Sequence, residues 1–219
     1  MIAAFVDVDH TLICGNSQMR LAHYFFRKGI IGIRPMIYIA LWGIGQFLNF
    51  RLINSLTVRK KCYSKLAGKK REMVDGLFLE FYKRMIDKIV YPNARNVISE
   101  HQKKNHKIVL VSATIGEVVR LLAEAIGANA YFGTQLEVED DIYTGRIVGQ
   151  VVEGEVKASF LREWAKANDV SLEESFAYGN SKEDIPMLLL VGHPIAVNPD
   201  TVLTRLAIQN QWTIKKWFF

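Results

Sequence analysis

Cysteine is scarce: Cys14 and Cys62 are the only two in 219 residues. They form neither a metal-ligand spacing nor a disulfide framework, so reduced thiols in a cytoplasmic protein are expected. Glycine and proline are also few, 15 and 5, and no repeat or low-complexity segment stands out. With charged residues at 23%, that composition excludes a disordered chain. No apolar run is long enough to span a bilayer. The 16 residues from Pro35 to Phe50 carry no charge, but spanning needs about 20, and Gly43, Gly45, Gln46 and Asn49 weaken the run further. The amino terminus lacks a basic leader and its apolar run is cut by Asp7, so no secretory signal is expected.

What the chain does have is a 50% hydrophobic composition, enough for one sizeable domain with an elaboration. Its net charge of +6 is unevenly spread. Residues 14–90 hold 15 Lys and Arg against four Asp and Glu, a net of +11, while the remainder carries −5. A basic segment set in an acidic body points to an anionic ligand, an anionic membrane surface or nucleic acid. Nucleic acid is the weakest of these, because no recognised motif accompanies the charge and interleaved aromatics are sparse; it is not expected as a partner. For "RKKCYSKLAGKKR" alone, a solvated helix face is the plainer reading.

Residues 2–6 read as a short buried strand. From about 16 to 89 nothing reads as strand. "SQMRLAHYFFRKG" patterns as a helix with Asn16 or Ser17 as its cap and Gly29 as its stop. The uncharged run follows, then helical stretches over about 51–67 and 70–89. After Pro92 the pattern alternates between helix and strand. "HKIVLVSA", "AYFGTQLEV", "SFAYGN" and "HPIAVN" read as strands, the last of them closing the series, and "DDIYTGRIVG" as a turn and return strand. "NARNVISEHQKKN", "GEVVRLLAEAIGA", "VKASFLREWAKAND" and "DIPMLLLV" read as helices. Strand-helix alternation implies a parallel sheet with right-handed crossovers. The expected fold is therefore α/β, a Rossmann-like parallel core with a helical insertion after its first strand. The expected division is a core of residues 1–13 and 90–219 and a helical cap of residues 14–89.

Ligands of open α/β sheets bind beyond the carboxyl ends of the strands, and four such places carry unusual polar residues. The first strand runs into Asp7-Val8-Asp9-His10-Thr11. In a continuing strand, Asp7 and Asp9 would share a face and repel unless a cation or proton lay between them. "KIVLV" ends in Ser112-Ala113-Thr114. Lys157 begins a helix after "VEGEV". "SFAY" ends in "GNSKED", which includes Asn180 and Asp184. Singly, each has an ordinary reading as a cap, a turn or a solvated charge. Their order, each at a strand-to-helix junction, is far more specific.

That order, Asp-x-Asp-x-Thr, Ser, Lys, then Gly-Asn-(x)3-Asp, resembles the haloacid dehalogenase-like phosphohydrolases, over nearly the whole chain. The helical insertion after the first motif is similar to that of subfamily IB, the phosphoserine-phosphatase-like branch. The resemblance implies a Mg2+-dependent phosphatase with Asp7 as nucleophile, forming an aspartyl-phosphate, and Asp9 as general acid and base. It implies phosphate binding by Thr11, Ser112, Ala113 and Lys157. It also implies metal ligation by Asp7, Asp9 through its main-chain carbonyl, Asn180 and Asp184.

Two positions depart from the pattern. Asn180 stands where aspartate is common, which implies weaker metal binding rather than lost activity. Asn16 stands where phosphoserine phosphatases carry the glutamate that meets the substrate ammonium, so free phosphoserine looks disfavoured and Asn16 becomes a specificity position. The expected substrate is a small phosphorylated metabolite. The alternatives are a lipid-linked phosphate at a membrane surface, with the uncharged run making a peripheral membrane contact, and a non-catalytic phosphoryl- or lipid-binding protein. The tail "TIKKWFF" packs on the body or shares that membrane character. Oligomeric state is not legible in the sequence.

Overall fold

The computed structural model describes residues 1–47 and 54–219. The end of the uncharged run, 48–50, and the start of the helix expected over 51–67 lie outside the described residues. The chain opens with β1 (Ala3–Val6), followed by α1 (Ser17–Arg27), α2 (Ile33–Phe47) and α3 (Ser55–Tyr63). Next come β2 (Lys69–Lys70) and α4 (Arg71–Phe81), the latter loosening into a π turn and a 3-10 turn before Val90. The second half runs α5 (Pro92–Lys103), β3 (Lys107–Ile115), α6 (Gly116–Ile126), β4 (Ala130–Thr134), β5 (Leu136–Glu139) and β6 (Ile142–Ile147). It ends with α7 (Glu155–Ala167), β7 (Phe176–Gly179), α8 (Ile185–Leu188), β8 (His193–Val197), α9 (Thr201–Gln209) and β9 (Thr213–Lys215).

Six strands form one parallel sheet in the order β4-β3-β1-β7-β8-β9, the Rossmann-like arrangement expected of strand-helix alternation. β1 lies at its centre and is buried on both faces, which is why it reads as a run of small and apolar residues with no polar partner. Its alternate side chains serve two cores. Ala4 and Val6 join the cluster that includes α1, α4, α5 and α6; Ala3 and Phe5 join the cluster of α7, α8 and α9. Because both faces are filled, only the strand ends are left to meet solvent and ligand.

The helical segment is stitched to the body where the chain leaves and re-enters it. Cys14 N–H donates to the Ile89 carbonyl at 2.8 Å and Tyr91 N–H to the Leu12 carbonyl at 3.0 Å. The tail does pack on the body: Trp217 is buried against Tyr91 and Tyr178, and Asn198 clasps its main chain through both N–H and C=O.

Four local expectations are corrected. Lys69 and Lys70, inside the segment read as free of strand, pair antiparallel with Tyr143 and Ile142. A two-residue strand is too short to leave a periodic signal. "AYFGTQLEV" is two strands, β4 in the main sheet and β5 in a three-stranded sheet with β6 and β2; Gly133, two residues before the switch at Gln135, serves close packing on Gly116 inside β4. "HPIAVN" is not the last strand, since β9 adds an edge beyond it. β3 runs two residues past the strand read over "HKIVLVSA", to Ile115, through a register shift that opens after Ser112.

Candidate active site

The chain stops being strand at Val6 and folds over sharply. The N–H groups of Thr11, Leu12 and Ile13 all turn back to the Val8 carbonyl, at 3.3, 2.8 and 3.0 Å, and His10 takes a left-handed φ of 59°. Asp7 keeps one link to the sheet, its N–H donating to the Tyr178 carbonyl at 3.0 Å. The turn aims the two aspartates at different partners. Asp9 Oδ1 accepts the Ser17 N–H at 2.7 Å, and its Oδ2 accepts the Thr114 hydroxyl at 3.2 Å. Asp7 is buried against the Lys157 ammonium. The charge that crowds Asp7 is therefore chiefly Asp184, with Asp9 a lesser influence.

Lys157 is the hinge of this floor. It is the third residue of α7, almost fully buried, and its Nζ contacts Asp7 and donates to Asp184 Oδ1 at 2.6 Å. Burial alone would lower the lysine's pKa, but Asp184 and Asp7 outweigh it and hold the group above its ordinary range. Asp184 is fixed from its other oxygen, which accepts the N–H groups of Asn180 and Ser181 at 3.0 Å each and the Ser181 hydroxyl at 3.2 Å. This approach requires glycine at 179: a Cβ there would lie 2.5 Å from the Asp184 Cβ. Asp200 braces the same loop by accepting the Lys182 N–H at 2.9 Å, while its own N–H reaches the Asn180 carbonyl at 2.8 Å.

One lysine shared by two buried carboxylates leaves a net charge of −1. Burial first, then Asp184, push the Asp7 carboxyl up to about 7, against the pull of Lys157. Among the described residues, no three His, Cys, Asp or Glu side chains form a ready-made metal centre. The donors that do meet here, two carboxylates and the Asn180 amide, are all hard oxygens. A phosphate dianion would be repelled by a floor of charge −1, whereas one divalent cation turns it to +1. The residues thus fit a hard divalent cation by both chemistry and charge.

These groups open into a cleft of about 560 Å3, the size of a small-ligand site. It brings together Asp7, Asp9, Asn16, Ser112, Ala113, Lys157, Asn180 and Asp184, all singled out in the sequence. Thr11 is the exception. It is fully buried behind the turn, is not part of the cleft lining, and its hydroxyl has no partner among the described residues. Asn16 spends its side-chain oxygen on capping α1, accepting the Met19 N–H at 2.9 Å. Opposite the strand ends, the cleft wall is made by Gln18 and Met19 of α1, Trp42 and Gly43 of α2, and Ser55 and Arg59 of α3.

Sequence reasoning passed over Arg59, Ser17 and Thr114 as working parts. Arg59 is buried in the cleft, donating to the Ala113 carbonyl at 2.7 Å and lying 3.5 Å from Glu153. Ser17 and Thr114 share a 2.6 Å hydroxyl contact while both hold Asp9. Only an unusually buried polar type could have flagged them, and burial is not visible in a local window.

A family model described as haloacid dehalogenase-like hydrolase matches residues 4–189. Phosphoserine phosphatase SerB1 of Mycobacterium tuberculosis is 31% identical over 222 residues, covering 97% of this chain and 70% of that protein. A histidinol-phosphatase of Neisseria meningitidis is 27% identical over 225 residues, covering 96% of each. The crystal structure of a Bordetella pertussis protein of unknown function superposes with a TM-score of 0.84 at 26% identity, covering 97% of this chain and 96% of that one. The chain belongs to the haloacid dehalogenase-like hydrolase family, in its phosphoserine-phosphatase-like branch. It is a phosphatase.

Proposed function

We propose that this phosphatase is a Mg2+-dependent phosphomonoester hydrolase that works through an aspartyl-phosphate on Asp7 and acts on a small phosphorylated metabolite. The observation that carries the reading is the buried Asp7–Lys157–Asp184 floor at the mouth of the sheet, open to a cleft that Asp9 also lines. An Asp7 oxygen attacks phosphorus, and the bond to the leaving oxygen breaks as Asp9 gives that oxygen its proton. Water then attacks the same phosphorus, Asp9 takes a proton from it, and the Asp7–phosphorus bond breaks to release inorganic phosphate. Donors already hold both oxygens of Asp9, so its carboxyl keeps one orientation through both proton transfers.

Lys157 supplies a fixed positive charge beside the reacting oxygens, with Ser112 and Ala113 at the adjoining strand end as further phosphate contacts. Mg2+ would be held by Asp7, Asp184, Asn180 and the Asp9 main-chain carbonyl, and it supplies charge neutralisation for the phosphoryl oxygens. In this reading residues 14–89 act as the cap over a core of 1–13 and 90–219, so the leaving alcohol meets α1, α2 and α3. Arg59 adds a second buried cation on that side.

The volume of the cleft supports a small substrate. Free phosphoserine is disfavoured, because Asn16 brings no charge to an ammonium and is committed to its helix cap. A panel of soluble phosphomonoesters with and without Mg2+ tests the reading. Mg2+-dependent turnover of at least one small ester, with phosphoserine a poor substrate, is expected. No Mg2+-dependent turnover across the panel would leave a phosphoryl-binding protein instead.

A further inference from the structure

The helix that closes one side of the cleft has a second face with no role in the chemistry. α2 turns Ile39 into the core and Trp42 and Gly43 toward the cleft. Its outer face carries Ile33, Ile37, Leu41 and Ile44, exposed by 63, 50, 40 and 50%. Spacings of four, four and three residues put these side chains in one row, about 17 Å long at the rise of an α-helix. Four neighbouring aliphatic side chains on one convex helix face are not the scattered exposure that a soluble surface tolerates.

Charge says what covers the row. Residues 10–71 contain 12 Lys and Arg and no Asp or Glu. Arg34, on α2 itself, borders the row one position past Ile33. On the same side, the Lys61 ammonium sits 4.4 Å from the ring centre of Tyr38, the residue after Ile37. Arg34, Lys60 and Lys61 are exposed and form no ion pair among the described residues. A second copy docked on this face would set the same cations against each other, because a two-fold interface is self-complementary. No described helix is long and apolar enough to cross a membrane. The pattern of an apolar stripe edged by cations, on a helix too short to span, is that of an interfacial helix lying in the plane of a lipid surface.

We propose that the outer face of α2 docks this phosphatase on an anionic lipid surface. Ile33, Ile37, Leu41 and Ile44 enter the boundary between headgroups and acyl chains, and Arg34 and Lys61 meet lipid phosphates. Trp42 and Gly43 of the same helix then hold the cleft close to that surface. The proposal is independent of the catalytic reading, since docking needs none of the residues of the floor.

Vesicle co-sedimentation of the full chain tests it, with phosphatidylglycerol–phosphatidylcholine vesicles against phosphatidylcholine alone. Binding to the anionic vesicles only, weakening with added salt, is expected. Ile37→Ser with Leu41→Ser leaves the charge unchanged and should weaken binding about tenfold; Arg34→Glu with Lys61→Glu should weaken it at least as much. Both variants should keep the parent's thermal midpoint and its turnover of a soluble aryl phosphate. Three outcomes would overturn the proposal. One is no vesicle binding. Another is binding that the serine pair leaves intact. The third is a dimer in solution that the serine pair dissociates, which would assign the face to a second copy.

Discussion

At the carboxyl ends of β1, β3 and β7 this protein buries charge, while along α2 it exposes hydrocarbon. The two regions face the same cleft from opposite sides. The floor places two carboxylates and an ammonium out of water and ties them together: Lys157 meets both carboxylates, and Asp184 accepts further from Asn180 and Ser181. Such a network tolerates little change, because removing one member leaves another charge buried and unpaired. The α2 wall is held by packing, and its outer row is exposed among the described residues. In the proposed reading, chemistry is fixed by the strand ends, whereas the choice of substrate, and of the surface on which the enzyme works, is left to the helical segment.

The largest effect should come from removing the ammonium that the floor shares. Lys157→Met leaves Asp7 and Asp184 facing each other across an apolar side chain. Turnover of an aryl phosphate should fall by roughly 10^3-fold, and chemical denaturation should show a loss of about 3 kcal/mol. A variant that folds normally and retains its rate would break the contrast, since the floor would then be no more constrained than the wall.

Gly179→Ala tests the same region through geometry alone. The new Cβ would sit 2.5 Å from the Asp184 Cβ, so the carboxylate must shift, at a cost of about 2 kcal/mol. The Mg2+ concentration for half-maximal rate should rise. Placed instead at Gly32, which is exposed just ahead of α2 and has nothing within 4 Å of its Cβ position, alanine should be close to neutral in both measurements.

The floor also predicts an acid limit from its far side. His101 bonds through Nε2 to the Tyr178 hydroxyl at 2.8 Å, and the Tyr178 carbonyl holds the Asp7 N–H. Burial first, then His106, Lys104 and Lys215, lower the His101 pKa to about 4. The unfolded chain takes up this proton near pH 6.5 and the folded protein does not, so the stability that His101 contributes is full above that pH and falls below it. That loss should reach about 2 kcal/mol at pH 5, read as the change in the stability difference between the parent and His101→Gln, because the raised pKa of Asp7 opposes it in the parent's own profile. A parent–variant difference that stays constant between pH 6.5 and 4 would show that the histidine ionises freely in the fold.

The smallest effect is expected at Asn180. Asn180→Asp adds a negative charge to the proposed metal site and should lower the Mg2+ midpoint severalfold with little change in maximal rate. An unchanged midpoint would remove Asn180 from the ligand set.

Much of the strand-end floor was legible in the sequence, because its residues stand at junctions where apolar periodicity stops. Asp7, Ser112, Lys157, Asn180 and Asp184 could be found that way, and the structure gathers them in one cleft. Their pairings could not. Sequence spacing sets Asp7 against Asp9, two residues away, whereas folding sets it against Lys157 and Asp184 and sends Asp9 to Ser17 and Thr114. Thr11, read as a phosphate contact, lies buried behind the turn. The parallel sheet followed from alternation, yet β2 and β9, of two and three residues, are too short to carry a period. The uncharged run was visible too, but only the fold separates its outward row from Ile39, Trp42 and Gly43.

The central claim is that Asp7 carries the phosphoryl group. Rapid acid quenching during turnover of an aryl phosphate with Mg2+, followed by mass spectrometry of the peptide containing Asp7, tests it most directly. The expected result is one phosphoryl group on that peptide during turnover, absent without substrate and absent, together with activity, in Asp7→Asn. Sustained turnover by Asp7→Asn at the parent rate, with no phosphorylated peptide at any quench time, would contradict it.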